Sequence, residues 1–356
     1  MTKQKKILVA PLNWGLGHAT RCVPIIRELQ KQKATVILGG DGMALAYLMA
    51  EFPELESISI PDLKVRYPKS GGFLLYFAMR IPRLYTHVKK EHRLLKKLVR
   101  QYEIDGIISD NRYGLYHTQK PSALITHQLF IETPTFKKTV HSIVKKLIAK
   151  FNVCWVPDTA DSWNLSGRLS HSESLIPKVE FIGFFSRFSG QKKKKDVQRR
   201  ALAVLSGPEP YRTHLEDILI EKLTTIQCNA LIVRGVISEK NNRVKINDRL
   251  EIIDYLSADE LMMEIEKSEF VIARSGYSSI MDLVAMHQKA ILIPTPGQTE
   301  QEYLAQHLKD HPLFVFSNQE QLSLENAFLA LERKANSKII DLPDQRKTIK
   351  DFLRIC

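Results

Sequence analysis

The chain contains little that would staple it, anchor it or load it with metal. Its 356 residues include only four cysteines. Cys22, Cys154, Cys228 and Cys356 lie far apart and form no Cys-x-x-Cys pair. That spacing excludes a disulfide framework and a zinc knuckle, and it fits reduced thiols in a cytosolic protein. No apolar run approaches the ~18 residues of a transmembrane helix. The run Ile7 to Leu12 follows the basic Met1-Thr2-Lys3-Gln4-Lys5-Lys6, is too short for a signal-peptide core and reads as a first strand. The expectation is therefore a soluble or surface-bound protein. There is no Asp-x-Asp pair for a divalent ion, no P-loop Gly-Lys-Ser/Thr, no His-Glu-x-x-His and no Gly-x-Gly-x-x-Gly. Metal-dependent hydrolysis on a zincin helix, P-loop phosphoryl transfer and the dinucleotide fingerprint are set aside.

Positive charge is what the chain has in excess. A net charge of +13 points to acidic partners, namely phosphates, an anionic membrane or nucleic acid. An apolar content of 44% allows a core in each of the two domains that this length favours. Strands alternating with helices from Lys6 to Ile182, and again from Ala201 to Phe316, argue for α/β domains with parallel, doubly wound sheets. The boundaries read as a first domain 1–186, a basic linker 187–198 containing Lys192 to Lys195, a second domain 199–340 and a terminal helix in 341–356. That cationic, amphipathic helix is a candidate to pack back on the first domain. The lysine run reads as solvated linker.

Two stretches carry chemistry. Ala273-Arg274-Ser275-Gly276-Tyr277-Ser278-Ser279 to Asp282 breaks a strand at Ser-Gly and restarts it as a helix. The helix N-terminus then presents backbone N–H groups to an anion such as a phosphate. Asp282, about two turns in, is placed to meet the rest of a bound nucleotide. Near the N-terminus, the strand Lys6 to Pro11 runs through Gly15-Leu16-Gly17-His18-Ala19-Thr20-Arg21 into a helix expected over 19–30. His18 at that helix start has its charged form disfavoured by the dipole, which leaves the imidazole usable as a base. Each stretch also has a plain structural reading, as an ordinary βαβ turn and as a capping His.

Residues just past strand ends lie on the ligand side of a doubly wound sheet. That rule selects Asp110, His127 and Gln128 in the first domain. In the second it selects Ser206-Gly207 and Arg234-Gly235. Glycine turns, one arginine and one carboxylate suit a nucleoside diphosphate, with amides and Arg on phosphate and Asp on ribose. The missing Asp-x-Asp favours a metal-free route for a nucleotide-sugar enzyme. The patch Phe73 to Met79 beside a basic helix expected over 80–100 suits an anionic membrane face, with a core helix bearing a solvated basic side as the alternative. The basic stripe lacks interleaved aromatics outside Phe73 to Tyr85, so nucleic acid is not the expected partner.

Gly15-Leu16-Gly17-His18-Ala19-Thr20-Arg21, Arg274-Ser275-Gly276 to Asp282, and Pro296-Gly297-Gln298-Thr299-Glu300-Gln301 resemble GT-B glycosyltransferases of family 28. The resemblance follows the element order of nearly the whole chain. It implies two Rossmann-like domains facing a cleft, with a UDP-sugar bound mainly by the second. It places Asp282 on the ribose, Ser275, Gly276 and Tyr277 at the diphosphate turn, and Gln298, Gln301 and Glu302 near the donor sugar. His18 falls on the family's proposed base, with Gly15, Gly17 and Arg21 in the same turn as acceptor or phosphate contacts. Inverting transfer to a lipid-linked or cell-surface glycan acceptor would follow, without metal or cofactor, in the cytoplasm or on the inner face of the membrane. Ala305 and Asn13-Trp14 depart from the pattern of the family's peptidoglycan-synthesising member. A UDP-sugar hydrolase on the same scaffold and a non-catalytic basic surface-binding protein remain as alternatives.

Overall fold

A computed structural model describes residues 4–62, 81–131, 137–171, 178–188, 197–207, 209–237, 240–334 and 346–356. The aromatic patch Phe73 to Met79, Lys64, Arg66, Lys69 and the lysine run 192–195 lie outside the described residues. The chain forms two compact units. One comprises Met1–Trp14, His18–Phe185 and Leu342–Cys356, and the other Gly15–Gly17 and Ser186–Asp341.

In the first unit seven parallel strands stand in the order β3-β2-β1-β4-β5-β6-β7. They are β1 (Lys6–Pro11), β2 (Thr35–Gly40), β3 (Glu56–Ser59), β4 (Gly106–Asp110), β5 (Ser122–Ile125), β6 (Val153–Val156) and β7 (Val179–Phe181). Helices α1 (Leu16–Lys31), α2 (Gly42–Glu51), α3 (Ile81–Gln101) and α4 (Lys137–Ile148) connect them. Ile7, Leu8, Val9 and Ala10 are wholly buried, as a central strand covered on both faces requires. The winding reverses between β1 and β4, so the crevice at their carboxyl ends is where such a sheet binds ligands.

The second unit repeats the plan. Its order is β10-β11-β9-β8-β12-β13-β14, from β8 (Arg199–Val204), β9 (Ala230–Val233), β10 (Arg243–Lys245), β11 (Leu250–Ile253), β12 (Ser268–Ala273), β13 (Ala290–Leu292) and β14 (Phe314–Phe316). Its helices are α5 (Tyr211–Thr225), α6 (Ala258–Glu266), α7 (Tyr277–Ala285), α8 (Thr299–His307) and α9 (Leu324–Arg333). Here the reversal falls between β8 and β12. Both phosphate-type turns, Ser206-Gly207 and Ser275-Gly276, follow those two strands.

Two elements go beyond the sequence reading. The short β10 pairs antiparallel with β11 and is exposed throughout. An Arg243–Glu251 ion pair at 2.6 Å, rather than apolar burial, marks its register. Helix α9 buries Leu324, Ala327, Phe328 and Leu331 against the second sheet and starts on a Ser323 cap. The last helix, α10 (Arg346–Ile355), belongs by contact to the first unit. Its Phe352 meets Trp155 of β6 edge to face at 5.4 Å. Gly106 leaves the room: a Cβ there would stand 2.4 Å from Cys356 Sγ and 3.2 Å from the Phe352 ring.

Candidate functional site

Four residues selected separately from the sequence meet at the first reversal point. Helix α1 starts at Leu16, earlier than expected, so His18 lies inside its first turn and Arg21 one turn on. Asp110 ends β4, and Asn111 takes a left-handed φ of +55°, a conformation Asn tolerates, to turn the chain away. His127 follows β5. The carboxylate of Asp110 is fully buried and accepts a fork from Arg21, whose side chain is only 1% exposed. Arg21 Nε donates to Oδ2, and Nη2 donates to Oδ1 at 2.6 Å. Arg21 Nη1 lies 3.0 Å from His127 Nδ1. His18 Nδ1 lies 2.7 Å from Asp110 Oδ1 and 2.7 Å from Arg21 Nη2.

Burial alone would push the Asp110 carboxyl up. The Arg21 guanidinium, helped by His18, outweighs it and holds the group below the usual carboxylate range. Asp110 is therefore a carboxylate at neutral pH. His18 Nδ1 is the ring nitrogen that faces both the carboxylate and the guanidinium, and this side chain is the more exposed member of the pair with Asp110. A carboxylate and a guanidinium both touch the imidazole, which the helix-start position alone did not indicate. Arg21, expected to face an acceptor or phosphate, is instead committed to Asp110. Gly15 takes φ +92° at the turn, and Gly17 lies in the first turn of α1. Gln128 follows His127, and its backbone N–H donates to Thr126 Oγ1 at 3.1 Å.

Beside this cluster lies a second buried group that the sequence did not reveal. Arg112 Nε donates to Glu91 Oε1 at 2.8 Å, and Nη2 donates to the carbonyls of Ile60 and Pro61. Asp62 accepts the Asn13 N–H at 2.6 Å, which fixes the loop leading to His18. His87 Nε2 stands 3.5 Å from Glu91 Oε1. The helical spacing of His87 and Glu91 on α3 is the available signal, but their partners come from the segments after β3 and β4 and are invisible locally.

In the second unit Gly207 (φ +107°), Gly276 and Gly297 (φ +78°) share a property: a Cβ built on any of them would meet nothing within 4 Å. None is required by packing, and each leaves its backbone open to approach. Gly276 caps α7, whose first-turn N–H groups have no intrahelical acceptors. Ser275 is buried, and its hydroxyl donates to the Gln301 carbonyl at 3.1 Å. Tyr277 is 2% exposed, so its ring is core and its contribution at the turn is the backbone. Gln301 Oε1 accepts the Thr295 N–H, and its Nε2 donates to Gln298 Oε1 at 2.6 Å. Glu302 Oε1 accepts the Gly297 N–H. These three side chains brace the 295–302 loop.

Asp282 and Arg234 differ most from the simple picture. Asp282 is buried, and both its oxygens are engaged, by Ser186 Oγ at 2.8 Å and Arg187 Nε at 3.0 Å. Burial pushes its carboxyl up, and these partners recover only part of that cost. Arg234, read as a phosphate cation, is held by Glu216 at 2.8 Å and Asp254 at 3.1 Å. With Arg212, Thr213 and Val236 they line a cavity of about 310 Å³. Glu216 and Asp254 neutralise the arginine, so it is committed to carboxylates rather than left as the cation expected from the sequence. Among the described residues no group of three or more His, Cys, Asp or Glu side chains is disposed to hold a metal ion. Nor is any described helix long and apolar enough to cross a membrane.

Two seven-stranded Rossmann-like units of this winding define the GT-B class, and the chain is a glycosyltransferase of that class. Within it the chain is family 28-like: residues 220–352 match the glycosyltransferase family 28 C-terminal domain. It is 20% identical to an uncharacterised glycosyltransferase of Methanopyrus kandleri over 88% of this chain and 92% of that one. It is 22% identical to the UDP-N-acetylglucosamine–N-acetylmuramyl-(pentapeptide) pyrophosphoryl-undecaprenol N-acetylglucosamine transferase of Histophilus somni, over 98% and 95% of the two chains. Among solved structures, the glycosyltransferase SnogD of Streptomyces nogalater superposes with a TM-score of 0.63 at 13% identity, over 99% of each chain. That likeness is one of fold.

Proposed function

We propose that the protein transfers a sugar from a UDP-sugar to a hydroxyl of a lipid-linked or surface-glycan acceptor, with inversion and without a metal. The observation that carries this reading is the meeting of His18, Asp110 and Arg21 at the β1/β4 reversal point. The named activity of the Histophilus somni relative supports the choice of uridine nucleotide. His18 Nε2 takes the proton of the acceptor hydroxyl as that oxygen bonds to the anomeric carbon. The bond from that carbon to the diphosphate oxygen breaks, its electron pair leaves with UDP, and attack from the opposite face inverts the centre. Asp110 steadies the imidazolium through Nδ1. The open turns at Gly207 and Gly276 and the N-terminus of α7 hold the diphosphate by backbone N–H groups, which stabilise the leaving group. Ser275, Gln298, Gln301 and Glu302 shape the donor-sugar loop. Asp282 reaches the ribose in exchange for its Ser186 or Arg187 contact.

Titration calorimetry against UDP, GDP and dTDP, without metal and then with Mg²⁺, tests the reading. UDP is expected to bind in the absence of metal and more tightly than the other two. Failure of all three to bind refutes the proposal, and a strict Mg²⁺ requirement refutes its metal-free form. Free sugar released from a UDP-sugar without acceptor would assign a hydrolase instead.

A membrane-borne acceptor fits the surface of α3, where Arg83, Lys89, Lys90, Arg93, Lys96, Lys97 and Arg100 are all exposed beside exposed Leu84 and Tyr85. Sedimentation with anionic vesicles is expected to carry the protein down at low salt and to release it steeply as salt rises. Equal recovery with neutral vesicles would exclude this surface role.

A further inference from the structure

The cation expected beside the donor turns is spent, because Glu216 and Asp254 neutralise Arg234. A second arginine of the same unit is not. Arg274 follows β12, directly before Ser275-Gly276, and is 1% exposed. Its Nη2 donates to the Tyr211 carbonyl at 2.8 Å. Its Nη1 faces the carbonyls of Pro294 and Ile293 at 3.3 and 3.5 Å. Nε is buried and makes no hydrogen bond among the described residues. Nor does any described carboxylate pair with this guanidinium. Burial lowers its pKa to about 10, so it stays charged at neutral pH.

An ionised side chain taken out of water without a counter-charge is costly, and neutral carbonyls recover only part of that cost. The acceptors of Arg274 show what the charge serves. Tyr211 lies four residues after Gly207, Pro294 lies three before Gly297, and Arg274 itself lies two before Gly276. Those are the three glycines whose backbones are open to approach. The guanidinium is thus tied to all three turn segments, beside the N-terminus of α7. We infer that Arg274 is the buried counter-charge of an anion bound at these turns. The anion is the donor's diphosphate, an identification that rests on the function proposed above. Carbonyls suit this task better than a carboxylate, because they fix the planar fork of the guanidinium without neutralising it. Backbone N–H groups at the turn contact the phosphate oxygens, and Arg274 adds attraction from the buried side. As the bond to the sugar breaks, negative charge grows on the diphosphate, and the same cation favours that state.

The test is calorimetry of wild type, Arg274→Gln and Arg274→Lys against UDP, UMP and inorganic pyrophosphate. Arg274→Gln is expected to weaken UDP by about tenfold or more and UMP by less, because the lost attraction grows with ligand charge. Arg274→Lys keeps the charge and is expected to lose less than Arg274→Gln for every ligand. Equal losses for UDP and UMP, or a lysine no better than glutamine, would mean that the side chain only ties the loops together, and would overturn the inference. Where Arg274→Gln fails to fold, Arg274→Lys decides: UDP affinity within about tenfold of wild type is expected, and a larger loss overturns. Wild type that binds none of the three ligands refutes both the counter-charge and the donor reading. Pyrophosphate bound by wild type and lost in Arg274→Gln, with UDP no tighter than pyrophosphate, removes the nucleotide alone and leaves Arg274 as the counter-charge of an anion site.

Discussion

His18→Ala lowers the rate of UDP release from a donor–acceptor pair by about 10²–10⁴-fold, the range of a lost general base. The expectation rests on the geometry around the imidazole. Nδ1 is committed to Asp110 and Arg21, and the ring is the more exposed member of its pair, so Nε2 is the nitrogen available to a substrate hydroxyl. The turns assigned to the diphosphate belong to other elements, after β8 and β12, so calorimetric UDP affinity in the variant stays near that of wild type. A variant losing affinity and rate together would point to misplacement of the α1 turn. An undiminished rate would remove His18 from the chemistry. Asp110→Ala is expected to lower the rate less, since it removes the support of the base and leaves the base itself.

The second large effect is on stability and lies outside the cluster of His18, Arg21, Asp110 and His127. Glu91→Ala destabilises the first unit by about 3–5 kcal/mol, the usual cost of leaving a buried charge without its partner. The Arg112 side chain is fully buried and, among the described residues, keeps only Asp62 as a counter-charge, 4.0 Å away. Glu91 Oε2 also accepts the Gly114 N–H, which would be orphaned. Glu91→Gln, which preserves shape and one acceptor, costs less. Urea unfolding followed by circular dichroism measures both, and a loss below about 1 kcal/mol for Glu91→Ala would show that Asp62 suffices. The same group sets an acid dependence. Burial raises the Glu91 carboxyl, and His87 with Arg112 brings it below its ordinary value. Its pKa is therefore lower in the folded protein than in the unfolded chain. The stabilisation is complete above the unfolded carboxylate range near pH ~4.3 and is lost as pH falls through the folded value. Asp282 has the opposite sign: its raised carboxyl costs stability at neutral pH, and protonation relieves that cost.

The sheet winding was legible because each strand of a parallel sheet is a short apolar run with a helix after it, as in Ile7–Ala10 and Phe270–Ala273. The strand-end rule then located Asp110 and His127, and the Gly-rich turn at the first helix start located His18, although nothing local says that they touch. Their meeting is a consequence of β1, β4 and β5 standing side by side. Side-chain commitment was not legible. Arg234 reads as a free cation until Glu216 and Asp254 are seen across from it, and Asp282 reads as a free acceptor until Ser186 and Arg187 close on it. Those contacts join residues 18 to 96 positions apart. Helix α9 was a different case. Its apolar residues at Leu324, Ala327, Phe328 and Leu331 follow the helical repeat, and its signal was present in full. The strand β10 had no such pattern, because pairing and charge define it.

The position of α10 has a consequence for synthesis. A ribosome makes the first unit's sheet early, yet the helix that seats Phe352 on Trp155 emerges only after the whole second unit has been built. Until then the socket left by Gly106 is uncovered in the nascent chain, and the earlier-made half reaches its finished state after the later-made one.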